Sequence, residues 1–170
     1  MTNIFLLFSV IVLSGCTGIP QGITPITEFR VNDYLGAWYE IARLDHSFER
    51  GLDRVSAEYS ARDDGGIKVV NRGYSTEKQE WKEAVGKAFF VRSEREGYLK
   101  VSFFGPFYGS YIIFYIDPDY QYAFVTGYDK SYLWLLSRTP EVDPSVIEKF
   151  RQSAEQLGFD TDKLIFIAHR

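Results

Sequence analysis

The sequence predicts an all-β chain with one late helix, on three observations. Apolar and polar residues alternate with a period of two along most of the body. Turn signals separate these runs at short spacing, with no helical pattern between them. Aromatic residues, which favour strands, make up 17% of the chain. Eight such runs describe an antiparallel meander, which closes into a barrel or pairs as a sandwich.

Taken in order, strands are expected over 37–45, 54–61, 66–74 and 81–91. Leu99, Val101 and Phe103 then alternate with Tyr98, Lys100 and Ser102. Tyr111, Ile113 and Tyr115 alternate with Ile112, Phe114 and Ile116. Two further runs cover 121–127 and Leu133 to Ser137. Asp63-Asp64-Gly65-Gly66, Glu94 to Gly97, Gly105-Pro106, Asp117-Pro118-Asp119 and Asp129-Lys130 supply the turns. The helix follows, with Asp143 as its cap and Pro144 at its first position. Val146, Ile147, Phe150, Ala154 and Leu157 share one face, and Gly158 can end the helix. That stripe needs a partner, which the outside of a barrel would provide. A short run from Leu164 to Ala168 reads as a final edge strand.

The amino terminus reads as an address. Ile4 to Leu13 is uncharged and apolar, and as a helix it would span about 15 Å, half the hydrocarbon thickness. That length fits the core of a signal peptide rather than a membrane span. Leu13-Ser14-Gly15-Cys16 resembles the lipobox of bacterial lipoproteins, in which the cysteine becomes the acylated first residue. The expected layout is a signal peptide over 1–15, a lipid-anchored tether over 16–28 and a barrel domain over 29–170. Thr17 after the cysteine implies the outer membrane by the same resemblance. Gly18, Pro20, Gly22 and Pro25 give the tether little expected structure of its own.

Composition excludes several function classes. A net charge of −4 and a pI near 5.2 argue against a nucleic-acid partner. With one cysteine, no intramolecular disulfide forms. His46 and His169 are alone, with no cysteine or paired carboxylates at metal-ligand spacing, so no metal is expected. There is neither a nucleophile elbow nor a phosphate-binding glycine motif. No catalytic residue and no cofactor are expected, although Ser102 and Ser110 leave a lipid hydrolase as a poorly supported rival.

At Gly36-Ala37-Trp38-Tyr39-Glu40-Ile41-Ala42-Arg43 the chain resembles the first motif of the lipocalins, Gly-x-Trp. Trp134-Leu135-Leu136-Ser137-Arg138 resembles the third, whose basic residue ends the eighth strand. The middle motif, Thr-Asp-Tyr, falls loosely on Thr126-Gly127-Tyr128-Asp129. Arg43-Leu44-Asp45-His46 and Ser102 to Gly109 are similar to the bacterial branch. The resemblance implies an eight-stranded up-and-down barrel with the helix packed outside. It implies that Trp38 plugs the closed end, Arg138 lies across its indole and Gly36 bends the chain into the strand. It also implies a fatty acid or lysophospholipid held in the barrel, and a non-enzymatic role in lipid transport, storage or envelope maintenance.

Counting alternation from Trp38 and Arg138 puts Glu40, Ala42, Leu136, Trp134 and Tyr132 inside. The same parity nominates Ala57, Asn71, Phe90, Val101, Phe103, Tyr111 and Ile113 as ligand contacts, with Ala42, Trp134 and Leu136. Asn71 and Tyr111 could bond a head-group oxygen. An inward Glu40 needs a partner: either backbone amides or, after a local twist, Arg43 on the outside. Ala84, Gly86 and Ala88 share one face of their strand, which leaves either a cavity or room for a large neighbour. The exposed aromatic stretch Phe103 to Tyr108 leaves open a filled barrel that works as a protein-interaction module, including a homodimer.

Overall fold

The computed structural model describes residues 17–170, so the apolar run 4–13 and Cys16 lie outside the described residues. A short helix α1 (Val31–Tyr34) precedes β1 (Gly36–Arg43). The meander continues through β2 (Leu52–Ala61), β3 (Ile67–Ser75), β4 (Glu80–Phe90) and β5 (Tyr98–Ser102). It ends with β6 (Gly109–Ile116), β7 (Tyr122–Thr126) and β8 (Leu133–Ser137). Helix α2 (Pro144–Gln156) and a two-residue strand β9 (Ile165–Phe166) follow.

Each strand from β1 to β8 pairs antiparallel with its chain neighbour, and β8 returns to β1. The choice between barrel and sandwich is thus settled as a closed eight-stranded barrel, which has no free sheet edge where its ladders are complete. β9 adds to β1, Ala42 opposite Phe166. Successive hairpins alternate between the two ends. The connections 44–51, 76–79, 103–108 and 127–132 cluster at one end, called the mouth here. Trp38 and α1 lie at the other.

Alternation divides the apolar residues between two cores. The inner one includes Trp38, Tyr59, Val69, Leu99, Ile113, Val125 and Leu136. The outer one includes Ile112, Phe124, Leu133 and Leu135, covered by Phe150 and Ala154 of α2. Asp143 caps α2 by accepting from the Ser145 amide at 2.8 Å. A barrel strand buried on both faces carries apolar residues at successive positions, as Leu133 to Leu136 do.

Three features differ from the expectations. α1 was not foreseen, because four residues carry no period. The segment 17–27 forms no helix or longer strand, yet it is laid along β5 and β6. Ile23 is buried, the Ile26 amide donates to the Ile113 carbonyl at 2.9 Å, and the Gly97 amide donates to the Ile26 carbonyl at 2.9 Å. The third is a bulge in β1. Glu40 pairs with Leu136 but Ala42 pairs with Leu135, so Ile41 is an extra residue.

Candidate ligand-binding interior of the barrel

The closed end is built around Trp38, which is fully buried. Its indole N–H donates to the Tyr34 carbonyl at 2.7 Å. The Arg138 guanidinium lies 3.9 Å from the ring centroid, a cation–π distance. Arg138 also donates to the carbonyls of Ala37 and Asp33, both at 2.7 Å, and of Leu35 at 3.0 Å. These include the last carbonyls of α1, which lack helical partners. Gly36 has φ +96, a conformation that a side chain would strain, and it sits against Arg138.

Above this floor, three tyrosine hydroxyls meet. Tyr111 Oη lies 2.6 Å from Tyr34 Oη and 2.9 Å from Tyr59 Oη. Burial holds all three hydroxyls well above the usual phenol range, so they remain protonated donors. Tyr34 and Tyr59 were not nominated from the sequence. The parity of Ala57 carries Tyr59 inward, which was the available signal.

The structure puts Ala57, Phe90, Val101, Phe103, Tyr111, Ile113, Trp134 and Leu136 in or against the inner core. Asn71 is half-buried on the β3 face that carries Ile67 and Val69, opposite Ala57 and Ala84. Ala42 must be corrected. The bulge at Ile41 reverses the parity, and Ala42 is buried in the outer core beneath α2. Arg43 turns inward in its place, opposite Trp134.

That reversal provides Glu40 with its partner. Arg43 Nη1 donates to Glu40 Oε1 at 2.6 Å, with both side chains almost fully buried. Arg43 Nη2 donates to the carbonyls of Glu49 at 2.9 Å and Leu52 at 3.3 Å. Glu49 folds in from the 44–51 connection and accepts from Trp134 Nε1 at 3.1 Å. His46 Nε2 lies 3.0 Å from Glu49 Oε2, within ion-pair distance but off the line of a hydrogen bond. Phe48 stacks on the His46 ring at 4.0 Å. Burial and the Glu49 charge hold the Glu40 carboxyl well above its usual range, against the pull of Arg43. Burial also pushes Glu49 up, but His46, Trp134 and Arg43 outweigh it and bring it below the usual range. Arg43 was one of the two partners expected for Glu40, but on the outside; its inward place and the roles of Glu49 and His46 were not anticipated, because they depend on the bulge and on a loop folding inward.

At the mouth, β4 outruns β5. Their ladder begins at Lys87 opposite Ser102, so residues 80–86 extend beyond it. Ala84, inward by parity, is exposed there. At Gly86 an added Cβ would meet Phe103 at 2.8 Å. The small residue thus makes room for a large neighbour at that position. The rival hydrolase finds no geometry. Ser110 Oγ donates to the Gly18 carbonyl at 2.6 Å, and Ser102 Oγ is buried with no hydrogen-bond partner among the described residues, hence no base in reach.

The family described as the lipocalin-like domain matches residues 29–169. The chain is 58% identical over 168 residues to the outer membrane lipoprotein Blc of Vibrio cholerae, covering 98% of each. It is 47% identical over 160 residues to Blc of Escherichia coli K12, covering 94% of this chain and 90% of that one. Among solved structures, insecticyanin from the tobacco hornworm Manduca sexta superposes with a TM-score of 0.71 at 19% identity, over 89% of this chain and 86% of that one.

Proposed function

The chain belongs to the lipocalin-like family, and on that premise we propose that it is an outer-membrane lipoprotein that binds fatty acids or lysophospholipids in its barrel. The observation that carries this reading is the inner core: a closed barrel lined by aromatic and aliphatic side chains, with a few converging hydroxyls and an exposed inner face near Ala84. Such a lining suits acyl methylenes, and the tyrosine hydroxyls and Asn71 suit an oxygen-bearing head group. The protein is a binding protein rather than an enzyme, and it takes no cofactor. Cys16 is the acylated residue, and the names of the Vibrio and Escherichia relatives support the same compartment. The role is transport, storage or maintenance of envelope lipids.

Each buried methylene contributes about 0.8 kcal/mol before ordering costs, so affinity should rise with chain length. The test is a titration of the chain from Thr17 onward with fatty acids and lysophospholipids of graded length, read by tryptophan fluorescence and by a second method that counts bound ligand. Saturable binding that tightens with chain length is expected. In Trp134→Phe the fluorescence response should shrink while stoichiometry persists. Length-independent affinity would defeat the proposed mechanism.

The packing of Phe103 against Gly86 favours one second reading, a filled barrel that works as an interaction module. No binding by either method, in folded protein, would select it.

A further inference from the structure

The connections at both ends of the barrel carry charges, but exposed aromatics gather at only one of them. At the closed end, the connections hold Arg62, Asp63, Asp64, Arg92, Glu94, Arg95 and Asp117 to Asp119. At the mouth, every connection carries or adjoins an exposed aromatic. Phe48 (59% exposed) lies between β1 and β2, and Trp81 (59%) opens β4. Phe104 (82%) and Phe107 (65%) lie between β5 and β6, and Tyr128 follows β7. Exposing such rings around one rim is costly in water and marks an interaction surface. Trp, Tyr and Phe at one level suit a membrane interface, where an apolar body is buried and a polar edge stays wet.

The course of segment 17–26 selects the bilayer as the occupant. Ile26 is bonded to Gly97 and Ile113, toward the closed end. Gly18 is bonded to Ser110, three residues nearer the mouth along β6, a rise of about 10 Å. Tracing the chain toward its amino terminus therefore climbs toward the mouth, beside the hairpin that carries Phe104 and Phe107. The described chain begins there at Thr17, whose carbonyl accepts from the Tyr98 hydroxyl, and on the lipoprotein reading the acylated Cys16 is the residue bonded to it. The exposed rim charges balance within each connection: Asp45 pairs with Arg50 at 2.6 Å, Glu77 adjoins Lys78, and Asp129 adjoins Lys130, while Glu49 is buried against Trp134. Attraction to anionic lipid is thus not the driving term.

We propose that the mouth rim, through Phe48, Trp81, Phe104, Phe107 and Tyr128, docks onto the surface of the bilayer that holds the anchor, so that the barrel opens directly onto its lipid. The position of the anchor rests on the lipoprotein reading above; the rim is tested separately from it.

The test uses the intact acylated protein reconstituted in phosphatidylcholine vesicles, with and without brominated phospholipid. Subtracting the Trp81→Phe variant isolates the Trp81 signal. A bromolipid response that survives in Trp81→Phe comes from the remaining tryptophans and reports on the pocket instead. The expected result is a blue shift and loss of Trp81 emission, stronger with bromines near the head group than deep in the chain, and little affected by salt. In Phe104→Ser/Phe107→Ser the Trp81 response should fall, with an unchanged circular dichroism spectrum and continued flotation through the anchor. Trp81 that stays open to aqueous iodide and untouched by bromolipid overturns the proposal. So does Trp81 shielded from both with cross-linking to a dimer, which would assign the rim to a second copy. Equal flotation of the intact protein and Cys16→Ser would defeat the anchor reading while leaving the Trp81 readout to decide the rim.

Discussion

Trp38 joins the floor of the barrel to its wall, since it touches Tyr34, Arg138 and the inner core together. Trp38→Ala should cost about 3–5 kcal/mol, as large buried aromatics do, read as a lower urea midpoint. Part of that loss is indirect, because the guanidinium loses the face on which it lies. Glu40 predicts a pH dependence. Its folded carboxyl holds a proton to higher pH than the ordinary value of 4.5. The native state then binds more protons than the unfolded one, so stability falls as pH rises above that value. Glu40→Gln removes this term. The stability difference between Glu40→Gln and wild type should therefore move in favour of the variant from about pH 4.5 upward. Urea unfolding of both proteins across that range checks it; a difference that moves the other way would assign the shift to Glu49.

At the scale of elements, the bulge in β1 decides which side chains face the barrel interior. Ala42 lies in the outer core and Ala57 faces the interior. Ala42→Leu should overpack the space beneath α2 and cost about 1–3 kcal/mol, with lipid stoichiometry unchanged. Ala57→Trp should instead reduce lipid binding more than stability. Unfolding curves and ligand counts on the two variants separate the faces. The same bulge marks the limit of reading the sequence. Period-two alternation was enough for the eight strands and for the inward side of eight nominated residues, and helical spacing for the stripe Phe150 and Ala154 of α2. It failed at Ala42, because one inserted residue reverses every later side chain and leaves the apolar pattern Ile41-Ala42 unchanged. Glu49 and His46 were out of reach for a different reason. They lie in a connection without periodicity, and their place is set by the inward turn of Arg43 at the bulge and by Trp134, 85 residues beyond Glu49.

For the whole molecule, closure joins distant parts of the chain. β1 is held by β8, nearly a hundred residues later, and then by the carboxy-terminal tail. The Ile167 amide donates to the Ile41 carbonyl at the bulge, and the Arg54 amide donates to the Ala168 carbonyl, both at 2.9 Å. His169 Nε2 donates to the Glu40 carbonyl at 2.7 Å. Removing residues 165–170 would leave these groups unpartnered, and a loss of about 1–3 kcal/mol is expected for each one that stays buried. Urea unfolding of the shortened chain measures it; an unchanged midpoint would mean that water replaces the tail.

The tail also sets an order in time. Residues 165–169 are synthesised after all eight barrel strands and α2, yet they stitch the kink that turns Arg43 toward Glu40. A nascent chain can form hairpins as it emerges, but its charged interior waits for this late segment. Pairing across so long a separation is also slow. A chain delivered unfolded to its compartment would pass through an interval with its aromatic lining open to water. During that interval it would depend on escorts, or on the lipid proposed above as its ligand, for protection.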